Sequence, residues 1–486
     1  MTVSFKTIVL ILTLIMTISA VQLIRLSFFP QRVSYQLSIE QQRQDIQQLL
    51  NVINQKSAFT MLDPARKNAF TQQGQLLLAA TTQTSNAAIF QIKLQHWLTT
   101  LNDPAANITL PPSMLQHSPL LVLPTRLQHN NQNWIASQVS GQLINEDYPL
   151  LTHINGLPMQ RWVIAAQRYI PDSLKLSVTE QSQWLQHINR LQLDIGLASS
   201  TYVTLTLANR EAHTIQYELD LVNPGQLTAI NKMANMPPFI IRYPAEHNLK
   251  QTVMRQLAAA DDSTADLYID IRELKVSDTA LSAWLYERFA VPHSPYNNTV
   301  GLIKYRRYPN SNAKQFAKYH FKPIEQLGFF EQVNLETLGF DSQRADSPDF
   351  SRWLTRPLPK SNLNDGVTNR QLYLLIDATC QQECEWLALM ASAWPNVTLI
   401  GEQSRGSLSP RHRVMLQNSG LEAQFSAALA YSAAGKLISG IGITPAFHID
   451  AVSLNQQNIA NVISAKLSPA VKPRQVSSLS AVKRSP

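Results

Sequence analysis

The stretch LYLLI at residues 372–376 is a short, continuous run of apolar residues, and the chain around it repeats one pattern. A helix pattern follows at residues 383–393, and a second apolar run, VTLI, lies at residues 397–400. Upstream, the apolar residues 267–269 precede another helix pattern that extends to Phe289. Continuous apolar strands that alternate with helices are typical of a sheet covered on both faces. The sequence therefore predicts a mixed α/β fold for a core domain at residues 235–455.

Two further regions precede this core domain. Residues 31–110 are rich in Gln and carry apolar residues at helical spacing, which predicts three amphipathic helices. Residues 111–230 change to short alternating runs with an Asn155-Gly156 turn, which predicts a small, mostly β domain interrupted by a helical stretch. Residues 309–365, rich in Pro, Asn and Ser, are expected to leave the core as an excursion, and residues 468–486 are expected to be a disordered tail.

Composition narrows the classes of partner and cofactor. Of the 486 residues, 41 are Lys or Arg and 33 are Asp or Glu, but the formal charge of +8 is spread thinly, without the basic runs that follow a phosphate backbone. Nucleic acid is therefore not an expected partner. The eleven His residues show no metal-ligand spacing, and no pattern for a cofactor is found, so neither a metal nor a cofactor is predicted.

The N-terminus carries an export signal. Between Lys6 and Arg25 lie eighteen uncharged, mostly apolar residues. Residues 1–25 are predicted to be either a cleaved signal peptide or an uncleaved membrane anchor, since residues 7–24 are close to the shortest length that spans a bilayer. Both interpretations stay open, and both put the bulk of the protein in the periplasm or cell envelope. A buried core helix is the alternative.

The chain has only two cysteines, Cys380 and Cys384, too few for a disulfide scaffold in an exported protein. Their spacing is not that of a zinc ribbon or a thioredoxin motif. A local disulfide and two buried thiols are both compatible with the sequence. The two residues matter because they lie beside the predicted turn between a strand and a helix.

Four local motifs carry a resemblance to a known family. They are INGLP at residues 154–158, DIR at 270–272, GEQSRG at 401–406 and GIGITP at 440–445. In this order they resemble the tail-specific, or C-terminal-processing, serine peptidase family, whose relatives include the tricorn core and retinoid-binding-protein repeats. The resemblance implies a helical N-terminal region, a PDZ-like β domain and a peptidase core.

The resemblance also implies where a nucleophile would stand. In the family a serine precedes the GEQSRG-like motif by nineteen residues, and counting back from Gly401 reaches Gln382. In this register Glu385 matches a family glutamate without a gap. A side-chain amide has no ionisable proton and a delocalised lone pair, so Gln382 cannot attack a carbonyl.

The other catalytic positions implied by the family have changed as well. Ser407 stands where some members carry a basic Lys, and Ala105 stands where others carry a His. Leu274, Lys275 and Val276 replace a Gly-Gly turn that would support an oxyanion. Glu402 is kept from the motif. The sequence thus predicts a non-catalytic relative of the peptidases.

Three functional hypotheses follow. The first is an exported pseudopeptidase that binds unfolded polypeptide or protein C-termini by strand addition, as the β domain suggests. The second is an active serine- or cysteine-type peptidase in which Cys380, at a helix N-terminus, is the nucleophile and His412 or His293 the base. The third is a purely structural envelope protein without a cleft.

Overall fold

The computed structural model describes residues 36–111, 120–130, 133–138, 142–224, 240–242, 255–257, 266–272, 279–290, 299–307, 321–341, 347–358 and 370–449, together with residues 13, 16, 17, 19, 114 and 274. Within these residues, no helix combines the length and the apolarity that crossing a membrane requires. Apart from four residues, the predicted export segment lies outside the described part, and so does the tail at 468–486.

The N-terminal region consists of helices, as the apolar spacing predicted. Its elements are β1 (Gln36–Leu37), α1 (Ile39–Lys56), α2 (Pro64–Ala80), β2 (Ser85–Asn86), α3 (Ala87–Thr99) and β3 (Asn107–Thr109). Each helix begins at a polar cap: Ser38 for α1, Asp63 for α2 and Asn86 for α3. These side chains accept hydrogen bonds from backbone N–H groups of the first turn, which would otherwise lack partners.

The second region is built on an antiparallel sheet. Its elements are β4 (Arg126–Asn130), β5 (Asn133–Ser137), β6 (Leu150–Ile154), β7 (Leu157–Pro158), α4 (Met159–Gln167), α5 (Val178–Gln186), α6 (Ile188–Asp194), β8 (Tyr202–Ala208) and β9 (Thr214–Asp220). The main strand order is β4-β5-β6-β8-β9, and β7 pairs with β6. The predicted helical stretch is two helices, because the backbone leaves helical geometry at His187.

The third region contains the remaining elements: β10 (Ile240–Arg242), β11 (Leu267–Asp270), α7 (Thr279–Phe289), β12 (Gly301–Tyr305), β13 (Lys322–Pro323), α8 (Phe329–Thr337), β14 (Leu354–Arg356), β15 (Leu372–Ile376), α9 (Glu383–Ala391), β16 (Val397–Gly401), β17 (Arg411–Met415), β18 (Glu422–Ser426), β19 (Ala428–Ser432) and β20 (Phe447–His448). Strands β10-β11-β15-β16-β20 form a parallel sheet, and β15 is buried at every residue. The mixed α/β fold is confirmed.

Two smaller sheets tie distant parts of the chain together. Strands β13-β14-β12-β19 form an antiparallel sheet, so the segment predicted as an excursion returns to the core through β13 and β14. The sheet β17-β18-β3 joins the end of the helical region to the last third of the chain. One hydrophobic cluster then runs through the N-terminal helices, the β domain and residues 416–429. The three regions therefore share one hydrophobic core.

Candidate functional site

Gln382 lies at the turn between the central strand β15 and helix α9. Its backbone has φ of +53° and ψ of −111°, a conformation that costs a residue with a Cβ about 1–3 kcal/mol. Enzymes of the α/β-hydrolase fold hold their nucleophile on such a strained turn between a strand and a helix. The structure therefore places an amide side chain at a position whose backbone has the geometry of a nucleophile turn.

Ser407 lies beside this turn and is buried. The Gln382 N–H donates to the Ser407 carbonyl oxygen at 3.1 Å. The Ser407 hydroxyl oxygen accepts from Arg411 Nη2 at 2.9 Å, and Arg411 also donates to the side-chain oxygen of Gln381. Burial, together with the nearby Arg405, lowers the pKa of Arg411 to about 10. The residue that the resemblance aligned with a basic lysine thus carries a hydroxyl that is bonded to a guanidinium.

Ala105 lies in a segment that Asp103 fastens to strand β18. Its N–H donates to Asp103 Oδ1 at 2.9 Å, and the buried Asp103 carboxylate also accepts from the N–H and hydroxyl of Ser426 at 2.6 and 2.8 Å. Burial raises the pKa of Asp103. The residue that the resemblance aligned with a histidine therefore carries a methyl side chain, and the carboxylate two residues earlier binds strand β18.

Arg405 connects all three regions at this centre. Its Nε donates to the Pro104 carbonyl at 2.7 Å, and its Nη1 forms an ion pair with Glu180 of helix α5. Its backbone N–H donates to the Cys380 carbonyl at 3.2 Å, two residues before Gln382. Arg405 thus joins the Ala105 segment and the β domain through its guanidinium, and the turn of Gln382 through its backbone.

Glu385 stabilises the loop that carries Ser407 and Arg405. Its buried carboxylate accepts from the Ser404 hydroxyl at 2.6 Å and from the N–H groups of Gly406 and Ser407 at 2.5 and 2.7 Å. Burial raises the pKa of Glu385 to about 7, although these donors oppose the shift. The glutamate that matched the family motif therefore fixes the loop conformation.

Glu402, the retained motif residue, binds the β domain. Its Oε2 accepts from the Thr179 hydroxyl of α5 at 2.8 Å. Burial raises the pKa of Glu402, and the nearby Asp377 adds to the shift. Thr179 and Glu180 are adjacent on α5, so Glu402 and Arg405 hold the start of this helix against the core loop.

A second ion-pair cluster closes the carboxyl ends of β11 and β15. Arg272 donates to both oxygens of Asp270, at 2.9 and 2.8 Å, and to Asp377 Oδ2 at 3.3 Å. Two carboxylates raise the pKa of Arg272 against the effect of burial. The DIR motif therefore bridges two neighbouring strands.

Cys380 is not available as a nucleophile in this structure. It forms a disulfide with Cys384, and both residues are fully buried. Because a thiolate is the attacking form, a sulfur in a disulfide cannot act as one. The prediction of Cys380 as an alternative nucleophile is therefore wrong for this structure. The sequence left open a local disulfide or two buried thiols, and the structure has the disulfide.

The remaining predicted residues do not complete a catalytic set. The ring of His412, on β17, lies 5.6 Å from that of Phe425, and burial lowers its pKa to about 4. His293, Lys275 and Val276 lie outside the described residues. Leu274 is described, and its carbonyl accepts the Cys384 N–H at 2.9 Å.

Sequence reasoning missed the cations at this centre. Arg405 lies inside the GEQSRG motif, so the motif could have marked it as a candidate site residue. Its partner Glu180 is 225 residues away in sequence, and no local pattern could predict that the two form an ion pair. Arg411 follows the motif by a few residues. Both arginines stand beside positions where the family's base was sought, and a guanidinium donates protons in hydrogen bonds but does not accept them.

Comparisons with known proteins give matches in structure alone. No protein-family model and no curated protein matches the chain. Mature CPAF complexed with lactacystin matches with a TM-score of 0.60 and 13% identity, over 88% of this chain and 97% of that chain. A substituted CPAF gives a TM-score of 0.61 at 12% identity, over 88% and 96%.

The photosystem II D1 C-terminal processing protease also matches, with a TM-score of 0.39 and 12% identity, over 87% of this chain and 96% of that chain. Similarity at this level of identity concerns the fold and does not transfer an activity. The order of helical region, β domain and core agrees with the motifs in the sequence. The chain has the fold of CPAF.

Proposed function

We propose that this chain is an exported, non-hydrolytic protein with a peptidase fold, which binds unfolded polypeptide or protein C-termini without cleaving them. The observation that carries the proposal is the amide side chain of Gln382 on a strained turn between a strand and a helix. The backbone has the geometry that presents a nucleophile, and the side chain has no group that attacks a carbonyl.

The surroundings of Gln382 support the same conclusion. Ala105 offers a methyl group, and the Ser407 hydroxyl accepts a hydrogen bond from Arg411. Neither accepts a proton from a nucleophile in the manner of a general base. Losing the nucleophile and base together removes most of the rate enhancement that a serine peptidase provides.

Binding of polypeptide is supported by the sheet of the β domain. Strand β9 is an edge strand: it pairs with β8 on one side, and no strand in the described parts of the chain pairs with its other side. Most of its residues are exposed. Edge strands present backbone donors and acceptors to which an extended peptide can be added.

The absence of hydrolysis is tested with the purified chain. We expect no cleavage of unfolded casein, no labelling by a fluorophosphonate and no labelling by iodoacetamide without reductant, since both cysteines are in the disulfide. After unfolding and reduction, iodoacetamide should label two sites. The variant Gln382→Ala is the matched control and should behave as the parent does. The proposal would be overturned if casein-cleaving activity copurified with the chain and if a Ser or Cys of the chain were labelled.

Polypeptide binding is tested separately with fluorescein-labelled, reduced and carboxymethylated α-lactalbumin, which stays unfolded. Fluorescence anisotropy should show saturable binding to the full chain. The folded, disulfide-intact α-lactalbumin is the control and should bind at least tenfold more weakly. Equal binding of the two forms, or no binding of either, would refute a function in polypeptide binding.

Export is supported by the eighteen uncharged residues between Lys6 and Arg25. Fused to alkaline phosphatase in a bacterial host, residues 1–35 should give active, periplasmic phosphatase, and a version with Leu12→Arg and Ile15→Arg should not. The mass of the exported product distinguishes a cleaved signal from a retained anchor. Phosphatase that stays inactive with the unaltered segment would contradict export.

A further inference from the structure

The parallel sheet has two faces, and its connecting helices cover one of them. The strands follow one another in the sheet in the order of the chain, β10-β11-β15-β16-β20, and all neighbours are parallel. Connections between parallel strands are right-handed, so helices that join consecutive neighbours lie on the same side. Helices α7 and α9 accordingly share one hydrophobic cluster with alternate residues of β11, β15 and β16. Among the described elements, this strand order brings no connecting helix to the opposite face.

The opposite face is nevertheless apolar and buried. Its apolar residues are Tyr268, Tyr373, Leu375, Ile400, Phe447 and Ile449. Leu375 and Ile400 are fully buried, and Ile449 is 1% exposed. All six residues belong to the strands or directly follow one, and no apolar residue of a described helix joins their cluster. Parallel sheets occur with both faces covered, so the burial of this face calls for a covering segment.

The chain leaves the sheet at the border of this face. The Ile449 N–H donates to the Gly401 carbonyl at 3.0 Å, which continues the pairing of β20 with β16 by one residue. The side chain of Ile449 belongs to the cluster, and Ile449 is the last described residue of the chain. The segment that follows therefore starts at the carboxyl edge of the sheet, beside the face that it would cover.

Residues 453–467, here named the C-terminal segment, have the sequence pattern of a helix. Ser453 and Gln456 have the spacing of a capping box, and Ser468-Pro469 follows the last apolar residue. The only charged residue of the segment is Lys466, which would stand in the last turn, where a cation is favourable. The segment lies outside the described part of the chain, so this pattern comes from the sequence alone.

The C-terminal segment is apolar on one side of this helix. Residues on that side recur at intervals of three and four: Ile459, Val462, Ile463 and Leu467. The other side is polar and includes Gln457, Asn461 and Ser464. Such a helix buries one stripe against a neighbour and exposes the rest to water.

The dimensions of the segment and of the face agree. A helix of the fourteen residues 454–467 is about 21 Å long, and the five residues of β15 extend over about 17 Å, so the helix crosses the face along the strands. A helix about 10 Å wide covers two to three strands that lie about 4.8 Å apart. Leu375, Ile400 and Ile449 come from three neighbouring strands or strand ends.

We propose that the C-terminal segment docks its apolar side on Leu375, Ile400 and Ile449 and so covers the second face of the parallel sheet. The segment is then part of the folded core. This proposal does not depend on polypeptide binding. A second copy of the chain and residues 225–239, which precede β10, are the competing occupants that the experiments distinguish.

Thiol protection in the full chain tests this contact. The chain has no cysteine outside its disulfide, and the neighbours Leu374 and Leu375 are fully buried on opposite faces of β15. Leu374→Cys and Leu375→Cys should both react slowly with iodoacetamide. When Ile459→Asp and Ile463→Asp are added, local opening should make labelling of Leu375→Cys about tenfold faster and leave that of Leu374→Cys unchanged.

The matched control carries the same charges on the polar side of the segment. Gln457→Asp with Asn461→Asp should change the labelling rate of neither thiol. Ile463→Ala is a milder change for the case that the double aspartate variant unfolds, and it should make labelling of Leu375→Cys about threefold faster, again without an effect at Leu374→Cys. Equal labelling rates of the two thiols in both apolar variants would overturn the proposal.

Two further results would assign the face to another occupant and refute the proposal. Protection of Leu375→Cys that increases with protein concentration would indicate a second copy of the chain. Protection that survives Ile459→Asp with Ile463→Asp but is lost with Ile230→Asp would indicate residues 225–239. Protection that is independent of concentration and is lost only when the apolar side of the C-terminal segment is altered is the expected result.

Discussion

The carboxylate of Glu385 is a buried acceptor that three donors share, and it determines the shape of the loop beside Gln382. Its oxygens accept from a hydroxyl and two backbone N–H groups. Hydrogen bonds favour the ionised form, and desolvation opposes it. Because desolvation is the larger effect, the pKa is raised to about 7 from the ordinary value of 4.5.

This shift predicts how stability depends on pH. Between about pH 4.5 and pH 7 the folded protein keeps the Glu385 proton and the unfolded chain has lost it, so the free energy of unfolding falls as pH rises. The fall attributable to this residue should be about 3 kcal/mol, complete above pH 7. In Glu385→Gln this part should vanish, and the variant should be about 1–3 kcal/mol less stable at pH 5, because an amide cannot accept from all three donors.

Urea unfolding at pH 5 and pH 8 measures the effect, with the disulfide intact in all proteins. Glu422→Gln, on β18, is the matched control and should keep the pH dependence of the parent. The same pH dependence in Glu385→Gln and in the parent would contradict the assignment.

At single residues, the sequence predicted the position of Gln382 but not the state of the two cysteines. The count of nineteen residues from Gly401 placed Gln382 before α9, where the structure has it. The count could not decide between a disulfide and two thiols, because that depends on how the turn brings Cys380 and Cys384 together. Their Cα atoms are 5.3 Å apart in the folded turn.

At the level of elements, the loop between β16 and β17 is held from two sides. Glu402 binds Thr179, and Arg405 binds Glu180, at the start of the same helix α5. Glu180 is 1% exposed and Arg405 is 20% exposed at its side chain. The β domain and the core are thus joined by a largely buried ion pair.

A double-mutant cycle should reveal this ion pair. Arg405→Met leaves the Glu180 carboxylate buried without its cation and should cost about 2–4 kcal/mol of unfolding free energy. Combining it with Glu180→Gln should recover part of the loss, with a coupling energy of about 1–3 kcal/mol. Urea unfolding provides the measurement.

The exposed pair of Arg413 and Glu422, with nitrogen and oxygen 3.7 Å apart, is the matched control for this cycle. The cycle of Arg413→Met and Glu422→Gln should give a coupling below about 1 kcal/mol, since solvent screens the charges. Additive effects at Arg405 and Glu180 would show that the pair does not join the two regions.

Helices and strands were predictable where the apolar pattern was long. The spacing in residues 38–100 predicted α1, α2 and α3, and the run LYLLI predicted β15. The pattern failed where pairing depends on distant residues. Strand β14 lies in a segment rich in polar residues, and it becomes a strand because it pairs with β12. The local sequence of a strand does not indicate which distant strand it pairs with.

At the level of the whole molecule, the predicted boundaries near residues 110 and 230 do not separate hydrophobic cores. Phe70 in the helical region, Trp162 in the β domain and Phe425 in the core belong to one cluster. The changes in composition along the chain indicated the three regions. They could not indicate that the regions bury their apolar surfaces against one another. A second cluster lies between the parallel sheet and its helices α7 and α9.

The contacts of the first helix have a consequence for the order of folding. The buried carboxylate of Asp45, in α1, accepts from the N–H groups of Asn418 and Ser419 at 3.0 and 2.8 Å, and β3 pairs with β18. When the ribosome releases the N-terminal half, the C-terminal partners of its helices have not yet been synthesised. The apolar surface of the N-terminal helices therefore stays exposed until the last quarter of the polypeptide has been synthesised. Because contacts between distant parts of a chain slow folding, we expect this protein to fold slowly.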